Sequence, residues 1–133
     1  MELMHDKYDL ARALMEGVAF ETRWTLEEFS AHGADVRRLK LVGGAAKSAL
    51  WSSITCDVTG CELQIPAEKD TCCIGAAMIA AVGSGICSDY FDAARRMVRY
   101  TKNLLPDSES SAFYEKKYAR YRGGFGQLRA LFE

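Results

Sequence analysis

The sequence contains no CxxC pair and only two histidines, His5 and His32, so a zinc site of the usual ligand spacing is not indicated. Its five cysteines, Cys56, Cys61, Cys72, Cys73 and Cys87, are odd in number, which argues against a disulfide framework. They are expected to be reduced and mostly buried thiols of a cytoplasmic protein. No apolar run approaches the length of a membrane span. The opening MELMHDKYDL lacks a basic region followed by an apolar one, so no signal peptide is expected. Excess charge of either sign is missing too. The formal net charge is −1, which excludes a general nucleic-acid binder. What remains is 133 residues, 49% hydrophobic and 26% charged, enough to bury the core of one domain.

Residues 8–32 carry Leu10, Leu14, Gly17 or Val18, and Glu21 at helical spacing, with Gly33 placed to stop the helix. RRLKLV (37–42) reads as a short buried strand, followed by a turn at Gly43 and Gly44. Residues 47–58 read as a helix with Leu50, Trp51, Ile54 and Val58 on one face, ended by Gly60. CELQI (61–65) alternates like a second strand and is closed by Pro66. Asp70 or Thr71 can cap the helix 72–82, whose CCIGAAMIAAV is apolar all round and therefore expects burial on more than one side. A further helix is expected from Ser88 or Asp89 to about Val98. After the loop PDSESS comes a last helix over 111–132, interrupted or ended locally by Gly123 and Gly124. The order helix, strand, helix, strand and three helices is α/β. Two strands make a poor sheet by themselves, which points to strands supplied from elsewhere.

The glycine pair is the feature most open to chemistry. Glycine admits positive φ and lets another group touch the backbone, so such a strand-to-helix turn serves either tight packing or a flat ligand. GGAAKS is not a phosphate loop, since Ala46 stands where that motif needs glycine. GSGICS (83–88) lacks the third glycine of the dinucleotide fingerprint. Glu16 and Glu21, like Glu27 and Glu28, are expected on a helix surface, and neither histidine sits in a triad arrangement. Ser48 follows Lys47 without the context of a Ser–Lys nucleophile pair. Arg95, Arg96, Arg99 and Lys102 read as a solvated basic face, and Tyr114, Tyr118 and Tyr121 as a packing stripe.

Four stretches in this order, DLARALMEGVAFETR (9–23), LVGGAAKSALWSSITCDVTG (41–60), IPAEKDTCCIGAAMIAAVGSGICSD (65–89) and FYEKKYARYRG (113–123), resemble the C-terminal part of the FGGY family of carbohydrate kinases, most of all its xylulokinase-like members. The resemblance covers nearly the whole chain. It implies that residues 1–133 are a C-terminal piece of the second, nucleotide-binding domain of an actin-like (ribonuclease-H-like) ATPase fold. It implies ATP or ADP with Mg²⁺ as cofactor, and phosphoryl transfer to a sugar hydroxyl, with D-xylulose expected and glycerol, ribulose, fuculose or gluconate as alternatives. In the glycerol kinases of this family the matching stretch reads GGAxxNN, and its second glycine and the residue four later lie against adenosine. Carried over, these are Gly44 and Ser48, with Gly43 beside them and Ala45 and Lys47 as neighbours; Ser48 stands in place of an amide. Gly75, Ala76, Ala77 and Gly17 are expected to allow close helix–sheet packing. The family signature running through Leu10, Ala13, Met15 and Glu16 begins upstream of Asp9. The resemblance therefore places the catalytic aspartate, the phosphate-holding loop and the sugar site before Met1, and the chain alone is expected to be inactive. A rival reading is a non-catalytic module that pairs with its own copies through an exposed sheet edge.

Overall fold

In the computed structural model, residues 6–68 and 70–129 are described; His5 and the end of the expected last helix, 130–132, lie outside them. The chain opens with helix α1 (Lys7–Ala31). Asp6 caps it by accepting from the backbone N–H groups of Tyr8 and Asp9 at 2.8 and 3.0 Å, while the Asp9 carboxylate accepts from Asp6 N–H at 3.0 Å. This reciprocal box satisfies donors that a helix start leaves orphaned. Strand β1 (Arg38–Lys40) follows, then a 3₁₀ turn at Ala45–Lys47 and helix α2 (Ala49–Thr59). Gly60, at φ +67°, takes the left-handed position that closes α2. Strand β2 (Glu62–Pro66) leads to helices α3 (Thr71–Gly83) and α4 (Tyr90–Met97). Strand β3 (Tyr100–Leu104) and helix α5 (Ser108–Arg129) complete the chain.

The sheet has three strands in the order β1-β2-β3. β1 runs parallel to β2, with Leu39 opposite Leu63. β3 runs antiparallel to β2, with Ile65 opposite Lys102. The sequence reading missed β3. Its residues YTKNL are exposed except for half-buried Leu104, so no apolar alternation marks it. Pairing with β2 makes it a strand. The last helix also departs from expectation, since it starts at Ser108 and runs through Gly123 and Gly124. Each glycine costs about 1 kcal/mol against alanine in a helix. Packing on either side offsets that cost: Tyr118 and Tyr121 lie before the pair, and Phe125 meets Trp24 edge-on at 5.1 Å after it.

The main core lies among α1, α2 and α5, where Ala19, Phe20, Ile54, Val58, Tyr114 and Tyr118 are buried, with Met15, Trp24 and Tyr121 packed against them. The tyrosine stripe is therefore a packing stripe. On α1 the outward row is Leu10, Leu14 and Val18, all exposed, and the buried row is Glu16, Ala19 and Phe20. Glu16, expected at the surface, is buried and joins α1 to α5. It accepts from Arg12 Nε at 3.0 Å, Tyr114 OH at 3.2 Å and Lys117 Nζ at 2.9 Å.

Helix α3 departs furthest from its pattern. It packs on α4 through a small cluster of Ala81, Cys87 and Ala93. Of its residues only Ala81 is fully buried, and Ala76, Ala77 and Ile79 are exposed. Among the described residues α4 is its one substantial neighbour, so burial on several sides is not reached. Close packing does not account for its glycine either: a Cβ added at Gly75, or at Gly17 on α1, would meet nothing within 4 Å.

Cys56, Cys61 and Cys87 are buried as expected, whereas Cys72 and Cys73 are exposed at the start of α3. Burial, followed by the neighbouring Asp57 charge, pushes the Cys56 thiol up to about 11, and burial raises Cys61 as well. A thiol reagent at neutral pH should therefore label Cys72 and Cys73 in the native chain and spare the other three until denaturant is added. Peptide mass mapping of the adducts reads this directly, and native labelling of Cys56 at the rate of Cys72 would contradict it. Asp70 raises the Cys73 thiol through a hydrogen bond and its charge.

Candidate functional site

β1 delivers the chain to the glycine pair, and Leu41 N–H still donates to Gln64 C=O at 3.0 Å as the strand ends. Gly43 then turns at φ +76°, in the left-handed region where glycine is strongly favoured. Gly44 is already helical (φ −63°, ψ −40°) and opens the 3₁₀ turn. Its C=O accepts from Lys47 N–H at 3.1 Å. The turn is pinned from below by Ser52, 1% exposed, whose hydroxyl donates to Ala45 C=O at 3.2 Å. Ser48 is extended, and its hydroxyl accepts from Trp51 N–H at 3.2 Å, which caps α2.

A cleft of about 440 Å³ lies at this turn, at the carboxyl ends of the parallel strands β1 and β2. That is where open α/β sheets take their ligands, and the volume suits a small molecule. Val42, Gly43 and Lys47 line it on the β1 side, and Pro66, Ala67 and Glu68 on the β2 side. Thr71 at the start of α3 and Thr101 and Lys102 of β3 complete the wall. Asp70 caps α3 by accepting from Cys73 N–H at 3.1 Å. Hydrogen bonds to the Cys73 backbone and side chain hold its carboxyl below the usual range, with Lys47 adding a smaller share. Among the described lining residues the charged side chains are Lys47, Lys102 and Glu68, with the Asp70 carboxylate near enough to Lys47 to feel its charge.

Of the expected residues, Gly43 and Lys47 line the cleft; Gly44 is exposed beside Gly43, Ala45 is half-buried, and Ser48 turns its hydroxyl to the helix. Gly44 has no internal reason to be glycine. Its backbone suits any residue, and a Cβ there would meet nothing within 4 Å. The sequence reading missed Ser52, the Pro66–Glu68 segment, Thr71 and Lys102 as parts of this region. A segment following a parallel strand is the signal that marks 66–68. Lys102 had none, because its strand was unread. The expected basic face is split as well. Arg95 and Arg96 pair with Asp92 on α4 at 3.7 and 2.9 Å, while Lys102 lies on β3. Among the described residues no group of three His, Cys, Asp or Glu side chains converges to hold a metal, and no helix is long and apolar enough to cross a membrane.

The turn, its helix and the cleft fall within residues 1–84, apart from the β3 wall, and those residues match the family profile described as the C-terminal domain of the FGGY family of carbohydrate kinases. The chain belongs to the FGGY family of carbohydrate kinases. It is 34% identical over 122 residues to the L-xylulose/3-keto-L-gulonate kinase of Escherichia coli (strain K12), which covers 92% of this chain and 24% of that one. It is 32% identical over 127 residues to the autoinducer-2 kinase of Salmonella paratyphi B, covering 95% and 24%. Among solved FGGY structures, the xylulose kinase of Rhodospirillum rubrum superimposes with a TM-score of 0.83 at 27% identity, over 99% of this chain and 27% of that one. The chain thus spans about a quarter of the length of the curated FGGY relatives it matches.

Proposed function

We propose that this chain carries the adenosine side of the nucleotide site of an ATP-dependent sugar kinase, as part of the second, nucleotide-binding domain of an actin-like (ribonuclease-H-like) fold. The observation that carries the reading is Gly44, a glycine that neither backbone nor packing requires, beside a cleft at the ends of two parallel strands. Gly44 does not itself line the cleft, and in this reading a side chain there would crowd a flat ligand lying across the Gly43 turn. Gly43 makes the turn, Ser48 holds the start of α2, and Lys47 faces the cleft.

In a complete kinase of this family the reaction is transfer of the ATP γ-phosphoryl group to a sugar hydroxyl. The names of the relatives divide between xylulose and autoinducer-2, and a xylulose-like ketose is the acceptor proposed here. Phosphoryl transfer rests on positioning, a base and metal-assisted charge stabilisation. Among the described residues Glu68 is the one carboxylate lining this cleft, and the donors there do not fit a Mg²⁺ site. The metal, the aspartate base and the phosphate loop are therefore assigned to the rest of such a kinase, and this chain alone binds nucleotide without turning it over. Pairing through the sheet edge has less support: β1 is three residues long and carries Arg38 and Lys40, and β3 carries Lys102. Short, charged edges oppose strand addition.

The test is an ADP titration followed by backbone amide NMR. Saturable shifts centred on Gly43, Gly44 and Ser48 are expected. Gly44→Leu should leave the melting midpoint nearly unchanged, since the helical backbone and open space tolerate it, yet weaken ADP at least tenfold, about 1.4 kcal/mol. A well-dispersed spectrum without shifts at millimolar ADP would sink the reading, as would shifts that persist undiminished in Gly44→Leu.

A further inference from the structure

Thr101 and Lys102 are neighbours on strand β3, yet both line the cleft at the glycine turn. Successive strand residues ordinarily point to opposite faces of a sheet. The ladder explains the departure. Ile65 of β2 lies opposite Lys102, but the next residue, Pro66, lies opposite Tyr100, so Thr101 is the extra residue of a bulge. Pro66 has no N–H to give the ladder. Beyond it Ala67 N–H donates to Arg99 C=O at 2.8 Å, and the Thr101 hydroxyl donates to Ile65 C=O at 3.5 Å. Bulges are common at sheet edges and next to active sites, where they re-aim a side chain. Here the bulge serves no core, since Tyr100 to Asn103 are all exposed. Among the described residues Lys102 forms no ion pair, so its ammonium is uncommitted.

The cleft has two ends because β2 is flanked by β1 and β3. Gly43 and Lys47 stand at the β1 end, Thr101 and Lys102 at the β3 end, and Glu68 follows β2 between them. Helix α1 runs into β1, and a strand that precedes such a helix usually becomes the parallel neighbour of the strand that follows it. The phosphate loop, assigned above to the preceding part of such a kinase, therefore comes in beside β1. With the phosphates on that side and the ribose across the Gly43 turn, the base reaches the β3 end.

We propose that Lys102, aimed by the bulge at Thr101, and Glu68 read the base of the nucleotide and select adenine over guanine. The inference rests on the nucleotide reading above and adds the recognition of the base. On one edge adenine carries an accepting ring nitrogen, N7, beside a donating amino group, whereas guanine carries two acceptors, N7 and O6. The Lys102 ammonium donates to N7 of either base. The Glu68 carboxylate accepts from the adenine amino group and faces guanine O6 with no proton to share. Selectivity therefore resides in Glu68, and Lys102 supplies affinity. β3 lies outside residues 1–84, the part that matches the family profile, so this end of the cleft is a feature of the chain beyond that match.

The test follows backbone amides by NMR while the chain is titrated with ADP, GDP and inorganic pyrophosphate. ADP should shift Thr101 and Lys102 together with Gly43 and Gly44, and should bind roughly fivefold or more tightly than GDP. Lys102→Met should weaken both nucleotides by roughly fivefold or more. Glu68→Gln should bring ADP and GDP to within about twofold of each other, because an amide can both accept and donate. Both substitutions are at exposed positions, and undisturbed spectra of the free variants confirm that they fold. Shifts at Gly43 and Gly44 without any at Thr101 and Lys102 would overturn this proposal and leave the nucleotide reading standing. Equal affinities for ADP and GDP in the unaltered chain would do the same, as would a preference that survives Glu68→Gln. Pyrophosphate should leave Thr101 and Lys102 unmoved, and saturable shifts there would give Lys102 to a phosphate and overturn its role at the base. Absence of any shift with ADP would overturn both readings together.

Discussion

Phe20→Ala is expected to remove about 3–5 kcal/mol of folding stability, the usual cost of deleting a buried aromatic side chain. Phe20 is 6% exposed and is the hub of the three-helix core. Its ring lies 6.2, 5.8 and 5.2 Å, centroid to centroid, from Tyr114, Tyr118 and Tyr121. Truncation forfeits the transfer energy of the ring and three aromatic contacts, and leaves a cavity that helices tied by ion pairs close only in part. A chain of this size has roughly 5–15 kcal/mol in total, so the loss is a large share of it. Urea unfolding at neutral pH measures it as a fall in midpoint at constant slope. Leu14→Ala is the companion measurement. It deletes a comparable aliphatic volume from a side chain that is 66% exposed and should cost within about 0.5 kcal/mol. Equal losses for the two variants would mean that the core has been placed on the wrong face of α1.

Glu16→Gln should cost about 2–3 kcal/mol at neutral pH, and the cost should shrink in acid. Glu16 holds Arg12 and Tyr114 on one oxygen and Lys117 on the other, and Arg12 Nη2 donates to the same tyrosine hydroxyl at 3.2 Å. The amide keeps the shape but removes the anion that two cations share. Breaking a buried pair costs about 3–5 kcal/mol. The lower figure applies because the Arg12 and Lys117 side chains are 51% and 40% exposed and water takes up part of their charge. Burial pushes the Glu16 carboxyl up. Hydrogen bonds from Lys117 and Arg12, the Lys117 charge and the Tyr114 hydroxyl outweigh it, and the net direction is below the usual 4.5. A carboxyl depressed in the folded state gives its full stabilisation above its unfolded pKa and loses it as pH falls through the folded one. The gap between unaltered chain and variant should therefore be widest from pH 7 down to about 4.5 and close below that. Urea midpoints across this range decide it. A gap that stays constant into strong acid would show that shape, and not charge, makes Glu16 matter.

The elements with local signals were legible. The cap of α3 at Asp70 and the ends of α1 and α2 at Gly33 and Gly60 were read from the sequence, whereas the caps at Asp6 and Ser48 use equally local contacts that the reading passed over. These interactions span four residues or fewer, so the sequence encodes them without help. β2 was legible because Cys61, Leu63 and Ile65 alternate toward one buried face. The turn at Gly43 and Gly44 was legible as a turn, and the resemblance to FGGY kinases directed attention to it.

What the sequence could not rank was the choice between faces and partners. α1 carries two credible rows, Leu10–Leu14–Val18 and Glu16–Ala19–Phe20, and only the docking of α2 and α5 selects the second. Glu16 becomes a buried carboxylate because Lys117 and Tyr114 arrive from about a hundred residues away. β3 becomes a strand because β2 offers an open edge, and Lys102 reaches the cleft for that reason alone. By itself the sequence determined the caps, the turns, the helical and strand periods and the family. Tertiary structure decided which face is inside, which carboxylate is paired and which residues share the cleft, since burial and pairing are properties of two segments and the local pattern describes one.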